Sequence, residues 1–90
     1  MQEETVVIVN KIGLHARPAT LLVKAATAFA SNVAIIRDGK TFNAKSMLAV
    51  MSSGVKQGDA VIVRADGPDE QEAVRAVAAL IAAGFDEKQQ

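Results

Sequence analysis

The chain has 90 residues, with 10 Lys and Arg against 10 Asp and Glu, one His and no Cys. One small domain, residues 1–90, is the natural reading of that length, and a balanced charge without aromatics interleaved among the basic residues argues against nucleic acid as a partner. Disulfides, thiolate metal sites and a multi-histidine metal centre within the chain are excluded, no cofactor is called for, and no apolar run or signal peptide points to a membrane, so a cytoplasmic protein is expected.

Half the residues are hydrophobic, but only three are aromatic. Ala and Val dominate, which predicts a thin two-layer fold. Residues 5–9 are a β-branched run and predict the first strand. Residues 10–13 form a turn cluster, and a helical pattern opens at His15-Ala16-Arg17-Pro18. Ala19, Leu22, Ala26 and Phe29 recur at helical spacing and share a core-facing stripe, and the helix is expected to end near Ser31. The residue before a proline is pushed away from helical geometry, which places the helix start at Pro18. Residues 33–37 predict a second strand. Asp38-Gly39 matches a two-residue hairpin loop of type I′, whose central residues both need positive φ. Residues 40–43 form a third strand, and a brief helix runs from Met47 to about Ser53. Residues 60–65 predict a fourth strand. Gly67-Pro68 then breaks the chain before a last helix, whose first turn carries carboxylates and whose buried stripe is Val74, Val77 and Ile81. Gly84 suits a helix stop, and residues 86–90 read as a frayed tail. The order β-α-β-β-α-β-α fits a ferredoxin-like split βαβ sandwich by pattern, without fixing the strand order.

The single His stands where a turn meets a helix. Outward-facing N–H groups and the helix dipole make that place an anion site, and the same positive end disfavours imidazolium. A neutral imidazole has a lone pair with which to attack phosphorus. Arg17 follows two residues later, with a planar fork suited to phosphate oxygens. Gly13 allows a sharp backbone turn before His15. By spacing alone, these residues fit a polar helix boundary with a solvated Arg as well as they fit phosphoryl chemistry.

The segment Gly13-Leu14-His15-Ala16-Arg17-Pro18-Ala19 resembles the phosphorylation signature of the HPr family, the histidine phosphocarriers of the phosphoenolpyruvate-dependent sugar phosphotransferase system. Asn43-Ala44-Lys45-Ser46-Met47-Leu48-Ala49-Val50-Met51 resembles that family's regulatory serine segment. The spacing of the two and the total length agree, so the likeness covers essentially the whole chain. It implies an α+β fold, an open-faced β-sandwich with an antiparallel sheet in the order 1-4-2-3 and three helices on one face. It implies a stoichiometric phosphocarrier rather than an enzyme in the strict sense. His15 would be phosphorylated on Nδ1 by enzyme I and discharged to the A components of sugar permeases. Arg17 and the backbone amides after His15, Ala16 and Arg17 among them, would hold the phosphate.

Ser46 has a structural reading as an N-cap and, through the resemblance, a regulatory one as the target of an HPr kinase/phosphorylase, with a catabolite repressor as further partner. Met47 to Met51 contains no polar residue. Val50 is expected inside, with Met47, Leu48 and Met51 partly exposed as a partner-docking patch. Arg17, Thr20, Lys24 and Thr27 share the polar face of the first helix. Thr20, Lys24 and Thr27 are expected to form the other half of that surface, with Lys24 steering acidic partners. A carrier with one exposed active face is expected to be a monomer. Two segments depart toward the nitrogen-related paralogue of HPr, Asn10-Lys11-Ile12-Gly13 and the ending Gly84-Phe85-Asp86-Glu87, while Lys45-Ser46-Met47-Leu48 leans toward the Gram-positive sugar branch. The alternatives are therefore a nitrogen-pathway carrier and a regulatory module acting through Ser46. The HPr paralogue of that last kind lacks the histidine present here.

Overall fold

Strand alternation and helical stripes resolve into two layers. The computed structural model describes residues 1–86. In chain order the elements are β1 (Gln2–Val7), α1 (Ala16–Thr27), β2 (Asn32–Arg37), β3 (Lys40–Asn43), α2 (Met47–Ser52), β4 (Ala60–Asp66) and α3 (Glu70–Ala82), followed by a 3-10 turn (Gly84–Asp86). The four strands form one sheet in the order β1-β4-β2-β3, with every neighbouring pair antiparallel. This is the open-faced order, and it settles what the pattern left open between that and the ferredoxin-like arrangement. Most of the expected tail, residues 87–90, lies outside the described residues; Asp86 closes the 3-10 turn.

The alternation of β4 is plain: Val61, Val63 and Ala65 are buried, and the residues between them are not. Their side of the sheet, with Val6, Ile8, Val33 and Ile35, packs on Ala19, Leu22 and Ala26 of α1 and on Ala73, Val74, Val77, Ala78 and Ile81 of α3. The alanines let both helices lie close to the sheet. Each large residue buried this way is worth about 1.5–3 kcal/mol, so a thin core still supports a domain. Phe29 sits only partly buried at the edge of the stripe.

Several boundaries shift for physical reasons. β1 begins at Gln2, because pairing with β4 carries the ladder out to Gln2 opposite Ala65, and Glu3 forms an ion pair with Arg64 opposite at 2.6 Å. Ile8 leaves the strand and bonds the loop before β4: its N–H donates to the Asp59 carbonyl at 2.9 Å, and its carbonyl accepts from Gly58 at 2.8 Å. α1 starts at Ala16, two residues before Pro18. Pro18 is then the third helical residue, where its missing N–H costs no intrahelical bond, and that outweighs the pre-proline tendency. α1 ends at Thr27, earlier than the apolar pattern implies, and Ser31 is buried in the following turn. The β2–β3 hairpin has Asp38 at φ 51° and Gly39 at φ 76°, as a type I′ turn requires.

Candidate phosphorylation site at the start of the first helix

Residues 8–14 carry the chain from β1 to α1. The Gly13 N–H donates to the Asn10 carbonyl at 2.9 Å, closing a turn, and Leu14, buried, donates to the Val55 carbonyl at 3.3 Å. Gly13 holds φ 73°, and a Cβ there would run into the Val55 carbonyl and come within 2.9 Å of the Lys56 Cα. Both the turn and the close approach therefore demand glycine.

This loop delivers His15 to the N-cap of α1, in extended backbone at φ −77° and ψ −173°. Its carbonyl accepts the first helical bond, from Ala19 at 2.9 Å. The N–H groups of Ala16 and Arg17 have no acceptor within the helix, and Pro18 has no N–H to offer. The first turn contains no acidic residue, and its charged side chain is Arg17, which is exposed. An ordinary helix start favours acids and disfavours Arg. Here the amides and the dipole add positive potential beside a half-buried imidazole, and the exposed Arg17 follows two residues later. Such an arrangement attracts an oxyanion and offers it a nitrogen nucleophile. Among the described residues, no group of three or more His, Cys, Asp or Glu side chains is placed to hold a metal ion.

Thr20, Lys24 and Thr27 line the exposed side of α1 with Arg17. The hydroxyls of Thr20 and Thr27 donate to the helix carbonyls of Ala16 and Lys24, at 2.8 and 3.0 Å. α2 packs against α1. On α2, Val50 is fully buried, whereas Met47, Leu48 and Met51 are 36, 80 and 49 % exposed. The fold therefore brings a polar helix face and an apolar one onto neighbouring elements.

Ser46 caps α2. Its Oγ accepts from the Ala49 N–H at 3.2 Å, and its own N–H donates to the Asn43 carbonyl at 3.1 Å. Next to it, Lys45 reaches back and donates from Nζ to the Phe29 carbonyl at 2.8 Å, tying this segment to the chain just after α1. The serine and histidine segments thus sit against opposite ends of one helix.

Sequence reasoning missed several contributors. Asn10 read as a turn residue in a segment like that of the nitrogen-related paralogue, with no partner assigned, yet it is buried, and its Nδ2 donates to the Gly84 carbonyl at 2.9 Å. Ile12 is 74 % exposed in the loop before His15. Arg37 pairs with Asp59 at 3.1 Å and donates to the Ser53 carbonyl at 3.2 Å, bracing the loop on which Gly13 rests. Periodicity gives no sign of such long-range polar contacts.

Comparisons with known proteins bear on this geometry. Residues 2–83 match the family model described as the PTS HPr component phosphorylation site. The phosphocarrier protein HPr of Mycoplasma capricolum subsp. capricolum is 42 % identical over 77 residues, which is 86 % of each chain. Among solved structures, HPr of Thermoanaerobacter tengcongensis superposes with a TM-score of 0.93 at 48 % identity, covering 98 % of this chain and 99 % of that one. Crh, the Bacillus subtilis catabolite repression protein crystallised as a domain-swapped dimer, gives a TM-score of 0.76 at 43 % identity over 93 % of this chain and 97 % of that one. The fold, the two motifs and these matches agree, and the chain belongs to the HPr family of phosphocarrier proteins of the phosphotransferase system.

Proposed function

We propose that His15 is the phosphoryl acceptor, charged by phospho-enzyme I and discharged to the A components of sugar permeases. The observation that carries this reading is the start of α1, with His15 at the N-cap, Arg17 in the first turn and no acidic residue there. Nδ1 of the neutral imidazole attacks phosphorus, an N–P bond forms, and the donor's bond to the same phosphorus breaks. The Ala16 and Arg17 amides and the Arg17 guanidinium hold the phosphoryl oxygens and offset charge that builds up in transfer. In the second half-reaction the acceptor attacks, and the labile N–P bond breaks. The protein is regenerated, so it acts as a stoichiometric carrier within one domain.

Docking falls to the exposed faces of α1 and α2. Met47, Leu48 and Met51 supply adaptable apolar contact, which suits a protein that must fit a donor and several acceptors. Thr20, Lys24 and Thr27 extend that surface, with Lys24 favouring acidic partners. Ser46, at the start of the α2 patch, is the regulatory position: phosphorylation by an HPr kinase/phosphorylase would place about two negative charges beside Met47 and Leu48 and weaken docking of enzyme I. The Crh likeness supports a second reading, a regulatory module acting with a catabolite repressor through Ser46. His15 favours the carrier. No helix among the described residues is long and apolar enough to cross a membrane. A monomer working in the cytoplasm is part of this reading, and Crh, crystallised as a domain-swapped dimer, departs from it.

The test is direct. With phosphoenolpyruvate and enzyme I, intact mass should show one added, acid-labile phosphoryl group, absent from His15→Ala. An unmodified protein beside an active enzyme I would sink the sugar-system assignment and turn attention to the nitrogen-branch donor.

A further inference from the structure

The loop before His15 and the turn at Gly84–Asp86 are joined. Asn10 is 1 % exposed, and its Nδ2 donates to the Gly84 carbonyl at 2.9 Å across 74 positions of sequence. Burying an amide is costly unless its hydrogen bonds are met, so this side chain serves a specific contact. At the far end of the bond, Gly84 and Phe85 both hold positive φ, 68° and 57°. For a non-glycine residue such as Phe85, that conformation persists only where the surroundings dictate it. Phe85 is 1 % exposed, and the 3-10 turn carrying it packs against both α1 and α3.

The Asn10 backbone carries the connection onward. Its carbonyl accepts from Gly13 at 2.9 Å, Gly13 presses on Val55, and Leu14 donates to Val55 before the chain reaches His15. The loop is thus held on one side by residues 55–59, through Ile8, Leu14 and the Gln57 side chain, and on the other by the C-terminal turn, through Asn10.

We propose that Asn10 is a positioning residue for His15, latching the loop to the Gly84–Asp86 turn so that the C-terminal turn sets how the imidazole is presented. The proposal rests on His15 as phosphoryl acceptor. Misplacing a nucleophile costs rate even when folding survives. In Asn10→Ala, transfer from enzyme I charged by phosphoenolpyruvate is expected to slow by about tenfold, measured well below the melting temperature. Asn10→Asp keeps the shape but faces the Gly84 carbonyl with an acceptor in place of a donor. It is expected to slow transfer as well, and it serves if the alanine variant folds poorly. The discriminating readout is the NMR signal of the His15 ring, its shifts and its titration midpoint, which should move in both variants while amides of the β2–β3 hairpin stay in place. Wild-type transfer rates with an unmoved ring signal overturn the latch. The ring signal judges the latch even if the wild-type protein accepts no phosphoryl group, a result that would instead overturn the acceptor assignment.

Discussion

α1 and α3 lie side by side on one sheet, yet their N-termini are built in opposite ways. Both are preceded by a glycine pressed onto the backbone of another loop: a Cβ on Gly13 would meet Val55 and Lys56, and one on Gly67 would lie 2.7 Å from the Ser31 Cα. From there they diverge. α3 has Asp69 at its N-cap and Glu70 and Glu72 in its first turn. Glu70 reaches back to accept from the Gly67 N–H at 3.2 Å. Asp69 accepts from the amides of Ala30 and Ser31, each at 2.9 Å, and from the Ser31 hydroxyl, which in turn accepts from the Asp69 N–H at 3.1 Å. The positive end of α3 is filled by the protein's own carboxylates and spent on stability. α1 has Arg17 there and no acid. One local rule is followed and the other broken, and a broken rule at a surface site is where chemistry is to be sought.

The sharpest way to break the comparison is to make α1 resemble α3. Arg17→Glu places a carboxylate in the first turn of α1. By the helix-dipole argument, the melt should hold or improve by roughly 0.3–1 kcal/mol. Transfer should nevertheless fall by about 10²–10³-fold, since a fixed positive group is replaced by one that repels phosphate. Stopped-flow or quench-flow transfer beside a thermal melt separates the two effects. A variant that transfers normally would show that the charge at this helix start has no part in the reaction.

The two glycines sharpen the same contrast. Alanine at Gly13 must hold left-handed backbone and displace the Val55–Lys56 segment, with an expected loss of roughly 2–4 kcal/mol in urea denaturation. Gly67→Ala should destabilise comparably, because Ser31 must move. Only Gly13→Ala should also slow transfer per folded molecule, because only that glycine precedes His15.

Acid separates the ends next. The Ser31 hydroxyl, then the Ala30 amide, hold the Asp69 carboxyl below the usual carboxylate range. The stability it contributes is therefore fully present above that range and is lost as pH falls through its lowered folded value. Asp69→Asn should be less stable at neutral pH and should lack this part of the acid dependence. Its transfer rate at neutral pH should match wild type. Urea midpoints across an acid series check the first part, and a transfer assay checks the second.

The α3 carboxylates and Asp38-Gly39 were legible in the sequence because each works through its own neighbours: a first turn wants acids, and a type I′ turn wants two positive φ values. His15 and Arg17 were legible as a helix start, and the apolar run of α2 as a short helix with Val50 inside, for the same reason, whereas the part of His15 and Arg17 in phosphoryl transfer was read from the resemblance alone. Which distant backbone groups the side chains meet was not legible. Asp69 meets residues 30 and 31, Asn10 meets Gly84 and Lys45 meets Phe29 only after the sheet has brought them together. Boundaries failed where tertiary contact outweighed local preference. β1 extended over Glu3 and Glu4 because β4 lay beside them; α1 began before Pro18 for a local reason instead, since a first turn has no bond for proline to lose.

α2 supplies the intermediate case and the smallest expected effect. Its start carries neither acid nor base; Ser46 alone caps it, through the Ala49 amide. Ser46→Ala removes that bond and should cost about 1 kcal/mol in a denaturant melt. Ser46→Asp restores an acceptor and adds the charge that α3 already has, so its stability should equal or slightly exceed wild type, by roughly 0.3–1 kcal/mol. If the start of α2 belongs to the docking surface, that same charge beside Met47 and Leu48 should raise the KM for enzyme I while the alanine variant leaves it unchanged. If the aspartate variant keeps a wild-type KM, Ser46 is a cap and nothing more, and the contrast reduces to one helix start open to chemistry and two closed for stability.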